Sequence, residues 1–372
     1  MFWKAAGAAV VRSWVGRLLR PARFGTADMA TPSDGELSAV ALAAGRLGDA
    51  VRNGRFQPEI ATYVTALCAL PPEQAVPVEK KVRRALEYAA VSMSGQYVPR
   101  QTVYDVEFRN LEICPALAYY YVFHYSGFVR EHALRVMPGL HKKAIIAAIV
   151  LERRNDWVAE VRAMADRRFM ALLAELPEAQ LASLFPILLE RTALWGRRYA
   201  PDRVLEEALS IPRFAEGAKR FLLKAVYGPL RRNFSRILGS DCLDADLEEI
   251  AVAARAPLVR ATAVEALLRG RARWMIGSTR QWVDKPNGVS TVLPRWETRA
   301  LTISPSRRRV WDLAASDRSA FVRREAVDYA IDMGPDACDW AVLTSLRHDP
   351  NRGVAERAKY CCRKWSAPEK PL

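Results

Sequence analysis

The chain has 372 residues, 51% of them hydrophobic, with 56 basic side chains against 41 acidic ones and a net charge of +15. That length exceeds what one hydrophobic core ordinarily supports, so the core must divide or extend along the chain. No apolar run is long enough to span a membrane, which argues against integral insertion, and the six cysteines form no CxxC pair and fit buried thiols in a reducing cytoplasm.

The first 27 residues hold Lys4, Arg12, Arg17, Arg20 and Arg23 but no Asp or Glu. Trp3, Val10, Trp14 and Leu18 share one helical face, which suits a basic amphipathic helix, and targeting peptides have a similar composition. Met29 opens a second natural start, so residues 1–28 are expected to be an extension without a fold of its own. Residues 29–103 are expected to form a helical N-terminal cap, with helices over 35–53, 57–69 and 73–94 separated by Gly54 and Pro71-Pro72.

From about Tyr104 a five-residue signature, Val-(Arg/Ala)-x-x-Ala, recurs. Its valines are Val129, Val161, Val259, Val322 and Val354, steps of 32, 98, 63 and 32 residues, close to whole multiples of 32. Such a period marks an array of helical units. Val and Ala four apart stack on one helix face, where the small Ala admits a neighbouring helix. Five residues before Val stands Asp156, Asp317 or Asp349 in three copies, each expected to be an N-cap, with Pro350 at the first helical position of the last. A helix-forming stretch precedes each copy: Leu117–Phe123, Ala144–Glu152, Leu243–Ala254, Arg308–Ala314 and Trp340–Arg347. The expected unit is therefore a helix pair, stacked with its neighbours into a right-handed superhelix. The aromatic run Tyr119, Tyr120, Tyr121, Phe123 and Tyr125 is expected to pack between layers.

The segments SGFVREHALRVM (126–137), NDWVAEVRAMADRRF (155–169), APLVRATAVEALL (256–268), SDRSAFVRREAVDYA (316–330) and DPNRGVAERAKYCC (349–362) carry a resemblance to the HEAT-repeat family, in particular to bacterial proteins of the PBS-lyase HEAT-like type. The likeness runs from about 104 to 364 and thins where Gly196–Ala200 and Leu230–Arg232 stand at the expected places. The resemblance implies an all-α, armadillo-like α-solenoid over 104–372, in which Asp and Arg link adjacent repeats. It is unspecific for function, because this architecture serves scaffolds and enzymes alike.

The pattern breaks between Arg273 and Ser306. There RQWVDKPNGVSTVLPRW (280–296) alternates apolar and polar residues on either side of Pro286-Asn287-Gly288, which predicts a β-hairpin insertion over about 279–298. Ten basic residues and two acidic ones fall within 269–309, with Trp274, Trp282 and Trp296 among them. Arg273, Arg280, Trp282, Lys285, Arg295, Trp296 and Arg299 form the candidate binding surface, since Arg beside Trp suits an acidic protein groove or a nucleic acid. A brace packed back on the helices, with Trp282 and Trp296 as a cross-strand pair, is the alternative.

Arginine supplies 45 of the 56 basic residues. That excess fits either a GC-rich genome or anion binding. The histidines His124, His132, His141 and His348 show no ligand spacing, and the pairs Glu206-Glu207 and Glu248-Glu249 read as solvated helix faces, so no catalytic residue, metal site or cofactor is expected. The reading is a non-catalytic scaffold whose partner is a protein. The alternative is a DNA-binding solenoid resembling the alkylpurine DNA glycosylases, with Trp157 and Asp166 at the damaged base.

Overall fold

In a computed structural model the described residues are 34–91, 104–139, 141–195 and 201–366. The basic segment 1–28, the start at Met29, the end of the third expected helix at 92–94 and the weak pattern at 196–200 lie outside them. The described residues form eighteen α-helices and one antiparallel two-stranded hairpin. None of these helices is long and apolar enough to cross a membrane.

The N-terminal group is α1 (Asp34–Arg52), α2 (Gln57–Ala69) and α3 (Ala75–Val91). Val78, Val82 and Leu86, one turn apart on α3, bury their side chains, as do Val40, Ala44 and Leu47 of α1, which packs on α3. Gly54, with φ of 66°, turns the chain between α1 and α2.

The remainder runs α4 (Asp105–Ile113), α5 (Ala118–Tyr121), α6 (Gly127–Val136), α7 (Ala144–Arg153), α8 (Ala159–Glu175), α9 (Glu178–Leu194), α10 (Pro201–Leu209), α11 (Pro212–Lys224), α12 (Leu230–Ile237), α13 (Leu247–Ala253) and α14 (Pro257–Arg269). The hairpin strands β1 (Arg271–Asp284) and β2 (Val289–Ala300) follow. After them come α15 (Arg307–Ala315), α16 (Ala320–Met333), α17 (Trp340–Ser345) and α18 (Arg352–Ser366). Each of several helices packs on the next but one: α6 on α8, α7 on α9, α9 on α11, α12 on α14, α14 on α16 and α16 on α18. The N-terminal helices reach past the start of this series. Tyr63 of α2 donates to the carbonyl of Tyr119 at 3.2 Å, while α3 and the turn Pro72–Gln74 lie on α7.

The signature builds this packing. Val129, Val161, Val259, Val322 and Val354 are buried, and so are Ala133, Ala165, Ala263, Ala326 and Ala358. Each such valine contributes about 1.5–3 kcal/mol of burial. The arginine after Val repeats one geometry four times. Its Nη1 donates at 2.8 Å to the carbonyl six residues back, that of His124, Asp156, Ala254 or Asp317 for Arg130, Arg162, Arg260 and Arg323 respectively.

The three aspartates are not N-caps. Helices α8, α16 and α18 begin at Ala159, Ala320 and Arg352, three residues after Asp156, Asp317 and Asp349. Each carboxylate instead receives the preceding unit's arginine in a two-pronged pair. Arg130 donates to Asp156 at 2.8 and 3.0 Å, Arg260 to Asp317 at 2.9 Å twice, and Arg323 to Asp349 at 2.6 and 2.8 Å. One oxygen also accepts the amide two residues on, from Val158, Ser319 or Asn351. The physical reason is geometric: a planar guanidinium fork engages both carboxylate oxygens at once, a stronger arrangement than one capping bond. Capping falls to Ser319, which accepts from Phe321 N, and to Asn351, which accepts from Gly353 N and Val354 N.

Four of the five aromatics in the run pack as expected. Tyr119, Tyr120, Tyr121 and Phe123 are buried, and Tyr125 at the end is exposed. Burial pushes the Tyr119 hydroxyl up to about 12, and Tyr120 and Tyr121 higher still.

Candidate functional site: the hairpin

Helix α14 ends at Gly270, which takes the left-handed conformation with φ of 63° that favours glycine. The chain leaves there as β1 and returns as β2 to Leu301, whose amide donates to the Gly270 carbonyl at 3.1 Å. The hairpin is therefore longer than the expected 279–298, and its two ends meet at one hydrogen bond. At its tip Asp284 accepts from the amide and side chain of Asn287, and Gly288, with φ of 67°, closes the turn on Lys285. Those bonds hold the Asp284 carboxyl below its usual range.

The base is fastened to the helices. Ala272 is buried, and β1 packs on α12 and α14. Trp274 covers Gly239, where an added Cβ would stand 3.1 Å from the Arg236 carbonyl and 3.5 Å from the indole. Arg299 donates to both oxygens of Asp244 at 2.6 and 2.8 Å, to the Leu238 carbonyl at 2.9 Å and to the Ser240 carbonyl at 2.6 Å. Asp244, itself buried, also accepts the Thr302 amide and hydroxyl. Burial alone would raise the Asp244 carboxyl, but the bonds from Arg299 and Thr302 outweigh it and hold the group below its ordinary value. Arg299 is thus held at the base rather than presented on the ribbon.

Strand register sorts the other candidates. Antiparallel partners share a face and faces alternate along each strand. Arg273 pairs with Thr298, Met275 with Trp296, Ser278 with Pro294, Arg280 with Val292 and Trp282 with Ser290. Arg273, Arg280, Trp282 and Trp296 therefore lie on one face, whereas Arg295, opposite Gly277, lies on the other, and Lys285 sits in the turn. Trp282 and Trp296 are not cross-strand partners. Ser290, the partner of Trp282, stands six residues before Trp296 on β2, which separates the two indoles by roughly 20 Å at about 3.3 Å per residue. Each instead stacks with an arginine: Arg273 lies 4.2 Å from the Trp296 ring centre and Arg280 5.7 Å from that of Trp282. The rings are 45% and 47% exposed, so neither tryptophan is consumed by packing on the helices. Met275, Val283, Val289 and Leu293 add exposed apolar surface.

Charge on the hairpin differs from charge in the helices. Arg130, Arg153, Arg154, Arg260 and Arg323 are tied to carboxylates within the fold. Among the described residues, Arg273, Arg280, Lys285 and Arg295 have no such ion pair. The pairing splits these basic residues into a structural set and an uncommitted set, and the only local signal for the latter is its scarcity of acidic neighbours.

The other chemical candidates disperse. Among the described residues no three His, Cys, Asp or Glu side chains are grouped to hold a metal ion. The His124, His132 and His141 rings face different aromatics, Tyr121, Phe108 and Tyr119. Asp166 accepts from the buried Arg154 at 2.6 Å, and Trp157 is exposed beside Arg130. Glu207 also holds Arg154, at 2.7 Å, and Glu249 holds Lys219, also at 2.7 Å, so both paired-carboxylate motifs serve ion pairs.

His124 carries a pH prediction. Burial, aided by the Arg130 charge, lowers its pKa to about 4 while Nδ1 accepts the Ser126 amide at 3.1 Å. The unfolded imidazole titrates near 6.5, so between these values unfolding takes up a proton and stability falls as pH drops. The fold is expected to lose about 2 kcal/mol between pH 7 and pH 5 through this group. Urea unfolding at both pH values checks it: His124→Asn, which keeps an acceptor for Ser126, should flatten that slope.

Comparison with family models, with curated proteins and with solved structures finds no match.

Proposed function

We propose that the chain is a HEAT-like α-solenoid acting as a non-catalytic scaffold, and that its hairpin binds an acidic surface on a partner protein. The repeat reading is supported by next-but-one helix packing, by the five buried Val/Ala signatures and by the Arg–Asp pairs that join one unit to the next. The observation that carries the binding reading is the hairpin face with two exposed Arg–Trp pairs whose arginines have no carboxylate partner among the described residues. Such anchors concentrate binding energy, since Trp and Arg dominate interface hot spots.

A DNA groove would need arginines lining the surface of the signature helices. The arginines at the signature position are buried or turned to backbone carbonyls, and those helices also carry Glu131, Glu160, Glu265, Glu325 and Glu356. Mixed charge of this kind suits a protein partner better than a polyanion.

The test uses a photo-crosslinking residue in place of Ser290, which pairs with Trp282 on the proposed face, in the full-length chain in its native cells. A discrete protein adduct is expected, falling at least tenfold in Trp282→Ala/Trp296→Ala. Equal adduct yields in both chains would overturn the reading. Duplex and single-stranded DNA are titrated in parallel at about 50 and 200 mM salt, the range in which counterion release is diagnostic. Tight binding at the lower salt that needs the hairpin tryptophans would transfer the face to nucleic acid.

A further inference from the structure

A two-stranded ribbon leaves both of its outer edges unpaired, and an unpaired edge is a template for another strand. The two edges here are unequal. Strand β2 carries Pro294, which has no amide to offer. A proline is tolerated in a ladder where its nitrogen points away from the partner strand. Pro294 is opposite Ser278, so the backbone groups of this pair face outward, and the same holds two and four rungs along, at Arg280–Val292 and Trp282–Ser290. On β2 the outward row is therefore broken at Pro294. On β1 it is unbroken from Ser278 to Trp282, giving three amides and three carbonyls between the irregularities at Met275/Gly277 and Trp282/Asp284.

We propose that the outer edge of β1 from Ser278 to Trp282 captures an extended acidic segment of the partner protein as a third antiparallel strand. This rests on the hairpin being the binding element. The side chains at the outward positions lie on the face that carries Arg280 and Trp282. A captured strand would set one side chain opposite Arg280 and another, two residues away, opposite Trp282. Opposite charges and apolar–aromatic contacts are the favourable cross-strand pairs, so the segment carries a carboxylate at the first place and an apolar residue at the second. Arg280 and nearby Lys285 have no carboxylate of their own among the described residues to compete. Main-chain bonds supply affinity in this mode of recognition and alternate side chains supply selectivity.

A second copy of this chain fits the edge poorly. Two β1 edges paired antiparallel about Arg280 would bring that residue against its own copy, and each chain carries a net charge of +15. Like charges directly opposite are destabilising.

The experiment titrates the full-length protein with a fluorescein-labelled nine-residue peptide in which Glu and Val alternate with Thr. A copy with Lys for Glu and a copy N-methylated on the amides that would face β1 are run beside it. The acidic peptide is expected to bind, the Lys copy at least tenfold more weakly and the N-methylated copy at least tenfold more weakly. Hydrogen exchange at the Ser278, Arg280 and Trp282 amides should slow at least tenfold in the complex. Ser278→Pro, which repeats on β1 what Pro294 does on β2, should weaken binding while far-ultraviolet circular dichroism stays unchanged. Equal affinity for the parent and N-methylated peptides would overturn strand capture and leave docking on the face intact. No saturable binding of the acidic peptide, with the crosslinked adduct still formed, would also overturn strand capture alone. Loss of the adduct's dependence on the tryptophans would remove the binding reading itself. A dimer whose formation requires this edge would replace the acidic segment with a second copy.

Discussion

Replacing Arg260 by Ala is expected to lower the unfolding free energy by about 3–5 kcal/mol, the range for breaking a buried ion pair from one side. Arg260 is buried to 1% exposure, and four of its bonds go at once: two to Asp317 and one each to the carbonyls of Ala254 and Arg255. Asp317 keeps only the Ser319 amide and stays largely shielded from water. The comparison that isolates the ion pair is Arg162→Ala. Arg162 makes the same bonds to the carbonyls five and six residues back, but among the described residues it has no carboxylate partner. That substitution should cost about 1 kcal/mol, the net worth of ordinary hydrogen bonds. Urea midpoints for the two variants decide the matter. Equal losses would mean that the carbonyl bonds, rather than the Arg–Asp pair, hold successive units together.

Asp244→Ala should destabilise the fold by about 3 kcal/mol and free the hairpin at its base. Asp244 is the buried acceptor for Arg299, Thr302 N and Thr302 Oγ, so one substitution removes the carboxylate that fixes the returning strand at both residues. Arg299 retains the Leu238 and Ser240 carbonyls and partial access to water, which keeps the loss at the low end of the range for buried pairs. Hydrogen exchange at Thr302 should accelerate well before the helices open. Asp244→Asn, which keeps the shape and one acceptor, should fall between the two. An Asp244→Ala loss below about 1 kcal/mol would show that Trp274 and the buried Ala272 suffice to seat the ribbon.

The helical units were legible because Val and Ala four residues apart leave a mark in one dimension wherever helices must approach closely. The place of Asp156, Asp317 and Asp349 just before those helices was legible too; their spacing suggested caps, and only the family resemblance implied that they meet an arginine of the adjacent repeat. A capping carboxylate and one receiving a distant guanidinium look alike in sequence, since the donor stands 26 or 57 residues earlier. Asn287-Gly288 announced the hairpin. Its full length did not show, because the register irregularities break the alternation that marks a strand. A Trp282–Trp296 pair would need a turn centred near residue 289, whereas the observed turn, between Asp284 and Val289, sets Trp282 opposite Ser290. Arg299 looked like its uncommitted neighbours because Asp244, 55 residues away, leaves no local trace of the bond.

The single hydrogen bond between Gly270 and Leu301 bears on how fast the chain folds. Arg260 and Asp317 are 57 residues apart, against 26 for the other two pairs. A doubled loop adds about 0.6 kcal/mol of closure entropy. A ribbon with a local turn zips in about 1–10 μs, on its own contacts, before distant helices meet. Once it has zipped, Gly270 and Leu301 are neighbours, and the chain from Arg260 to Asp317 searches as if the thirty intervening residues were absent. The arm therefore adds length to the polypeptide while leaving the effective contact order of the helical array nearly unchanged.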